Sequence, residues 1–154
     1  MCAIVRGRGP ALALDGAAVQ EKQVEVALAA KQAGFTAYKL HPKGGYDRDL
    51  ASCKAVRQAL GDEMRIMSDP VATYNHQEAL RMGRELEKLN YYWYEEPLMD
   101  PDIEGYIELC RALDIPIAGT EWAHGGLWGL YSTPQYIVRK AVDIVRSDVS
   151  WKGG

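Results

Sequence analysis

The sequence predicts an α/β fold with a parallel sheet of barrel type. Short apolar runs alternate with longer amphipathic stretches along most of the chain. The short runs are nearly continuous in apolar or aromatic residues, as in strands buried on both faces. Glycine, proline or an acidic residue marks almost every change of period. Regular alternation of this kind builds βαβ units, with consecutive strands parallel and helices covering the sheet.

Residues 17–33 read as the first helix, with Val19, Val24, Ala27, Leu28 and Ala30 on its apolar face and Gly34 as its stop. Residues 35–41 read as a strand, ended by Pro42 and the Gly44-Gly45 turn. A helix follows over 47–60, closed by Gly61, and then a short strand over 64–67 that runs out at Asp69-Pro70. Residues 76–89 are helical, and 91–94 form a strand whose four aromatics, Tyr91, Tyr92, Trp93 and Tyr94, are assigned to the core. That strand ends at Glu95-Glu96-Pro97. A helix over 103–113 leads to a strand over 115–118 and the segment Gly119-Thr120-Glu121. The last pair is a short helix over 134–140, with Pro134 tolerated in its first turn, and a strand over 142–145 before Arg146-Ser147-Asp148. Residues 1–16 carry no convincing element and read as a ragged N-terminal segment. Residues 17–154 read as one domain, without linker or low-complexity tract.

Composition narrows the function classes. A formal net charge of −3 over 154 residues gives no basic footprint for nucleic acid. Three scattered cysteines, Cys2, Cys53 and Cys110, form no CxxC pair and read as reduced thiols of a cytoplasmic protein. No apolar run approaches the roughly 18 residues of a membrane span. The first residues, with Arg6 and Arg8 but no sustained apolar stretch, do not read as a signal peptide.

The chemistry lies in what ends each strand. His41, Asp69, Glu95, Glu121 and Asp148 follow one another at intervals of 28, 26, 26 and 27 residues, one βα period each. In a parallel barrel all strand C-termini open on one face, where active sites sit. An acid at one strand end usually caps the next helix or is solvated. An evenly spaced series of acids is not produced by capping alone. Three carboxylates brought together need a cation to stay ionised. Oxygen donors suit a hard divalent ion, so Asp69, Glu95 and Glu121 are the candidate ligands of one Mg²⁺.

The residues around those acids resemble a family. Tyr38-Lys39-Leu40-His41, Ser68-Asp69-Pro70, Trp93-Tyr94-Glu95-Glu96-Pro97, Ile117-Ala118-Gly119-Thr120-Glu121 and Asp148-Val149-Ser150-Trp151-Lys152-Gly153-Gly154 are similar to the enolase superfamily. The branch is that of the mandelate racemases and muconate lactonizing enzymes, and within it the sugar-acid dehydratases. The resemblance implies a capping domain and a (β/α)₇β barrel that removes the proton α to a carboxylate, with Mg²⁺ stabilising the enediolate. By position, Asp69, Glu95 and Glu121 match the metal ligands, while Glu96 is a supporting residue facing the other way. Lys39 and His41 occupy the family's Lys-x-Lys place. The first position binds the substrate carboxylate and the second is the general base, here a histidine, which titrates in the right range. The alternative for His41 is a helix-capping or backbone contact. Asp148 matches the aspartate that, in racemase-like members, orients a catalytic histidine on the next strand. Val71 departs from an asparagine common two residues after the first ligand. Trp122 and His124 are candidates for substrate contact, whereas His76 reads as a surface or cap residue.

The resemblance implies dehydration of a sugar acid to a 2-keto-3-deoxy acid, by a protein that is a homo-oligomer at full length. The alternatives are a racemase or epimerase of a 2-hydroxy acid and a non-catalytic metal-binding fragment. A full barrel takes ~250 residues, and this chain supplies five or six βα units. The expectation is therefore an incomplete barrel, a fragment or truncated gene product without capping domain and last strands. Alone it is expected to be catalytically silent, with open sheet edges that invite association.

Overall fold

A computed structural model describes residues 2–4, 16–123, 132–148 and 150. Its strands are β1 (Cys2–Ile4), β2 (Ala37–Leu40), β3 (Arg65–Ser68), β4 (Trp93–Glu95), β5 (Ile117–Gly119) and β6 (Ile144–Val145). The helices between them are α1 (Gly16–Gln32), α2 (Tyr46–Leu60), α3 (His76–Lys88), α4 (Ile103–Ala112) and α5 (Thr133–Val138). The six strands form one sheet in sequence order, each parallel to the next. This is the βα repeat of a parallel barrel, present in part. One element was not foreseen: β1 precedes the first predicted helix and pairs with β2 from Cys2↔Ala37 to Ile4↔Lys39. Three residues without a flanking turn signal leave no periodicity to read.

The period of two along each strand sorts residues between faces. Tyr38, Leu40, Ile66, Tyr94 and Ile117 are buried in one cluster with Ala27, Val56, Leu60, Met82, Leu86 and Leu109 of the helices. That is the outer, helix-covered face. The intervening positions carry Lys39, Met67 and Trp93, in register across β2, β3 and β4. Two residues further along lie His41, Asp69 and Glu95. The aromatic run at β4 is split the same way. Tyr91 and Tyr94 are core residues, but Tyr92 is half exposed and stacks under the Arg65 guanidinium, and Trp93 lies with Glu95. The expectation of four core aromatics is corrected to two: Tyr91 and Tyr92 precede the strand, where only Tyr91 turns into the core, and within the strand Trp93 and Tyr94 take opposite faces.

Helix ends follow local chemistry. Asn75 Oδ1 accepts from the Glu78 N–H while the Glu78 carboxylate accepts from the Asn75 N–H, a reciprocal cap that starts α3. Asp102 accepts from Gly105 N–H at the start of α4. Asn75→Ala should cost about 1 kcal/mol, read as a melting temperature lower by roughly 3 °C; an unchanged melt would show that water caps α3 equally well. Among the described residues no helix is long and apolar enough to cross a membrane.

Candidate functional site

The C-terminal ends of β2 to β6 carry one continuous charge network. Lys39 Nζ lies 3.0 Å from Asp69 Oδ2 and 2.9 Å from Glu95 Oε1. Arg146 Nε lies 2.6 Å from the same Glu95 Oε1, and its Nη1 forms an ion pair with Glu121 Oε2. Asp69, Glu95 and Glu121 are thus linked through two side-chain cations, all at one end of a parallel sheet. Asp69 and Glu95 are buried, and so is Lys39.

Two of the three carboxylates are also oriented by a neutral donor. Asp69 Oδ1 accepts from the Val71 N–H at 3.2 Å, and Glu95 Oε2 from the Trp93 indole N–H at 3.0 Å. Glu121 is placed through its backbone, whose N–H donates to Glu96 Oε1 at 2.8 Å. Val71 therefore contributes with its peptide group, for which its side chain is immaterial. Glu96 stands behind the cluster, where burial, and next Asp100 and Asp69, push its carboxyl up to about 7.

The backbone here is strained. Val71, Glu96 and Thr120 have φ of 54°, 43° and 83°, and each lies within two residues of a candidate ligand. Left-handed backbone in a β-branched residue is uncommon and costs roughly 1–3 kcal/mol. Strain of this order persists where surrounding structure enforces it. Ala72 N–H donates to the Glu96 carbonyl at 2.7 Å, and Thr120 Oγ1 to the Arg146 carbonyl at 2.7 Å. The turns after β3 and β4 are thereby tied to each other, and the turn after β5 to the end of β6.

His41 Nδ1 lies 3.3 Å from Asp69 Oδ2. Burial lowers its pKa from the usual histidine value, against the pull of the Asp69 charge. Its Nε2 is buried with no hydrogen-bond partner among the described residues. Asp148, one βα unit beyond Glu121, accepts from the Ser150 N–H at 2.8 Å. Trp122 is 52% exposed beside Glu121. His124 and Gly153-Gly154 lie outside the described residues. His76, read as a surface residue, is partly exposed and pairs with Glu108 across to α4.

The structure brings Lys39, His41, Asp69, Glu95 and Glu121 together and adds Arg146 and Trp93. Trp93 was assigned to the core and so missed, although its place two residues before Glu95 on one strand face was a signal that could have found it. Arg146 was not: the search for acids at strand ends passed over a cation two residues before Asp148.

As to a metal, no three of the His, Cys, Asp and Glu side chains among the described residues close into a ready-made cluster. The donor chemistry nevertheless fits. Three carboxylates offer oxygen alone, they share cations and so lie near one another, and a set that two cations compensate only in part has the donor chemistry of a divalent-ion site.

The family model for the enolase C-terminal domain-like family matches residues 22–154. An arabinonate dehydratase of Saccharolobus solfataricus is 38% identical over 108 residues, covering 70% of this chain and 28% of that protein. An L-talarate/galactarate dehydratase of Salmonella typhimurium is 42% identical over 106 residues, covering 69% and 26%. The chain thus spans little more than a quarter of either relative. The crystal structure of D-glucarate dehydratase from Agrobacterium tumefaciens, complexed with magnesium, superimposes with a TM-score of 0.80 at 35% identity, covering 88% of this chain and 36% of that one.

Proposed function

The chain belongs to the enolase C-terminal domain-like family, and on that premise we propose that it supplies the Mg²⁺-binding strand ends of an enzyme that removes the proton α to a carboxylate. Asp69, Glu95 and Glu121 would hold the ion. The observation that carries the reading is their union in one charge network, buried at Asp69 and Glu95, at the same end of a parallel sheet. Magnesium in the superimposed D-glucarate dehydratase supports the choice of metal.

When bound, the ion supplies positive charge against the negative charge that develops on the substrate carboxylate as the α-proton leaves. His41 is the base. Its Nδ1 faces Asp69, which leaves Nε2 to take the proton. Lys39, held among the carboxylates, adds a fixed positive charge to the same place. Trp93 and Val71 N–H groups fix the orientation of Glu95 and Asp69. Asp148 positions an acid/base partner on the opposite face of the substrate, and Trp122, with His124 by its place in the sequence, is assigned to substrate contact. His41 takes the α-proton, the β-hydroxyl accepts a proton from the acid/base partner that Asp148 positions and leaves as water, and the resulting enol tautomerises to a 2-keto-3-deoxy acid. Two relatives named as sugar-acid dehydratases favour this outcome over racemisation.

The test has two arms. Calorimetric titration of the chain should show Mg²⁺ binding that Asp69→Asn weakens. Within a chain of full family length, His41→Asn should keep Mg²⁺ binding and lose exchange of the sugar-acid α-proton with solvent deuterium. Exchange that survives the substitution removes His41 from the mechanism.

A further inference from the structure

We infer that Arg146 is a built-in counter-cation of the carboxylate cluster, so that a divalent ion binds only as Arg146 leaves the gap between Glu95 and Glu121. The inference rests on the metal-site reading above and adds to it a competing residue of the chain itself.

The first ground is occupancy of the oxygens. Glu95 Oε1 already meets both Lys39 Nζ and Arg146 Nε, and Oε2 meets the Trp93 N–H. A carboxylate oxygen has two lone pairs, so a metal bond at Oε1 requires one of the two cations to withdraw. On Glu121 the oxygen Oε2 is likewise engaged by Arg146.

The second ground is charge. Three carboxylates and Lys39 carry a formal charge of two negatives between them. One divalent ion cancels that, whereas Arg146 cancels only half. Arg146 and the ion together would leave a surplus positive charge beside carboxylates whose side chains are only 3% and 1% exposed, where like charges repel most strongly. The remaining titratable neighbours, His41 beside Asp69 and Glu96 behind Glu121, do not stand between Glu95 and Glu121.

The third ground is which cation has somewhere to go. The Lys39 side chain is 4% exposed and held by two carboxylates. The Arg146 side chain is 28% exposed at the end of β6. Its backbone is fixed, with its N–H on the Gly119 carbonyl at 2.8 Å and its carbonyl taking the Thr120 hydroxyl. Only the long side chain has to move, toward water.

The experiment is calorimetric Mg²⁺ titration of the wild-type chain, Arg146→Gln, Arg146→Lys and Glu95→Gln, with thermal melts of each with and without Mg²⁺. Arg146→Gln should bind Mg²⁺ about tenfold tighter, melt lower without metal, and gain more from Mg²⁺ than wild type does. Arg146→Lys, a charge without the fork, should fall between them, and it carries the test if the glutamine variant does not fold. A purely structural arginine would lower the melt and leave the affinity alone. Unchanged or weaker Mg²⁺ binding in Arg146→Gln overturns the inference; if Glu95→Gln still abolishes binding, the metal-site reading survives it. If the wild type binds no Mg²⁺, or Glu95→Gln does not alter binding, both fall together.

Discussion

Arg57→Met should be among the most damaging single substitutions in this chain, lowering stability by about 3–5 kcal/mol. Arg57 is buried in α2, and no carboxylate lies within ion-pair distance of it among the described residues. Its guanidinium instead feeds backbone. Nε donates to the Leu89 carbonyl at 2.7 Å, Nη1 to those of Gly61 at 2.7 Å and Met64 at 2.9 Å, and Nη2 to that of Asn90 at 2.6 Å. Its plane also lies over the Tyr91 ring, 5.6 Å from the centroid. Four carbonyls from two loops, the α2–β3 and α3–β4 connections, are satisfied by one side chain at the N-terminal ends of the strands, away from the candidate site. Methionine fills the same space but leaves all four carbonyls without that donor, and a buried unpaired acceptor costs on the order of 1–3 kcal/mol. Arg57→Lys should recover only part, because one ammonium cannot reach both loops. Denaturant unfolding of the two variants checks the order. Mg²⁺ affinity of the folded fraction should be unchanged, since the staple and the cluster sit at opposite ends of the sheet. A methionine variant as stable as wild type would show that water replaces the fork.

Arg57 also marks the limit of what could be read from sequence. The alternation of elements was legible from α1 onward because the helices carry apolar positions at helical spacing and strands β2 to β6 are short, apolar and punctuated. The series of acids was legible because a parallel βα repeat converts equal spacing along the chain into proximity in space. Asp69, Glu95 and Glu121 therefore came out together from counting alone. Residues that act across the repeat carry no such signal. Arg57 looks like any helical arginine until its loops are in place. Arg146 lies almost one βα period after Glu121, yet nothing in its neighbours announces that its fork bridges two strand ends. Glu96 was expected to support the site from behind, but its bond to the Glu121 N–H depends on a left-handed turn that no glycine announces. Strand β1 was missed because three residues cannot show a period.

Glu95→Gln should reduce Mg²⁺ affinity by about a hundredfold or more, the largest functional effect expected from one atom's change. Glu95 is the junction of the network: Lys39 and Arg146 meet on Oε1, and Trp93 donates to Oε2. Glutamine keeps the shape but offers a single acceptor. If its oxygen faces the two cations, its amide N–H₂ is turned against the Trp93 N–H, donor to donor. If it is flipped, the N–H₂ faces Lys39 and Arg146, which is worse. A buried ammonium is left with Asp69 as its main partner, and losing one side of a buried charge pair is costly. The metal-free variant should therefore melt lower than wild type, and Mg²⁺ should fail to restore it. Two readouts separate the causes. Calorimetry reports the lost ligand, while Trp93→Phe removes the orienting donor and keeps the carboxylate. Trp93→Phe should weaken Mg²⁺ binding only modestly, by a few-fold up to roughly tenfold. Equal losses in the two variants would mean that orientation by Trp93, rather than the charge of Glu95, governs the site; full Mg²⁺ affinity in Glu95→Gln would remove Glu95 from the ligand set and with it the proposed metal centre.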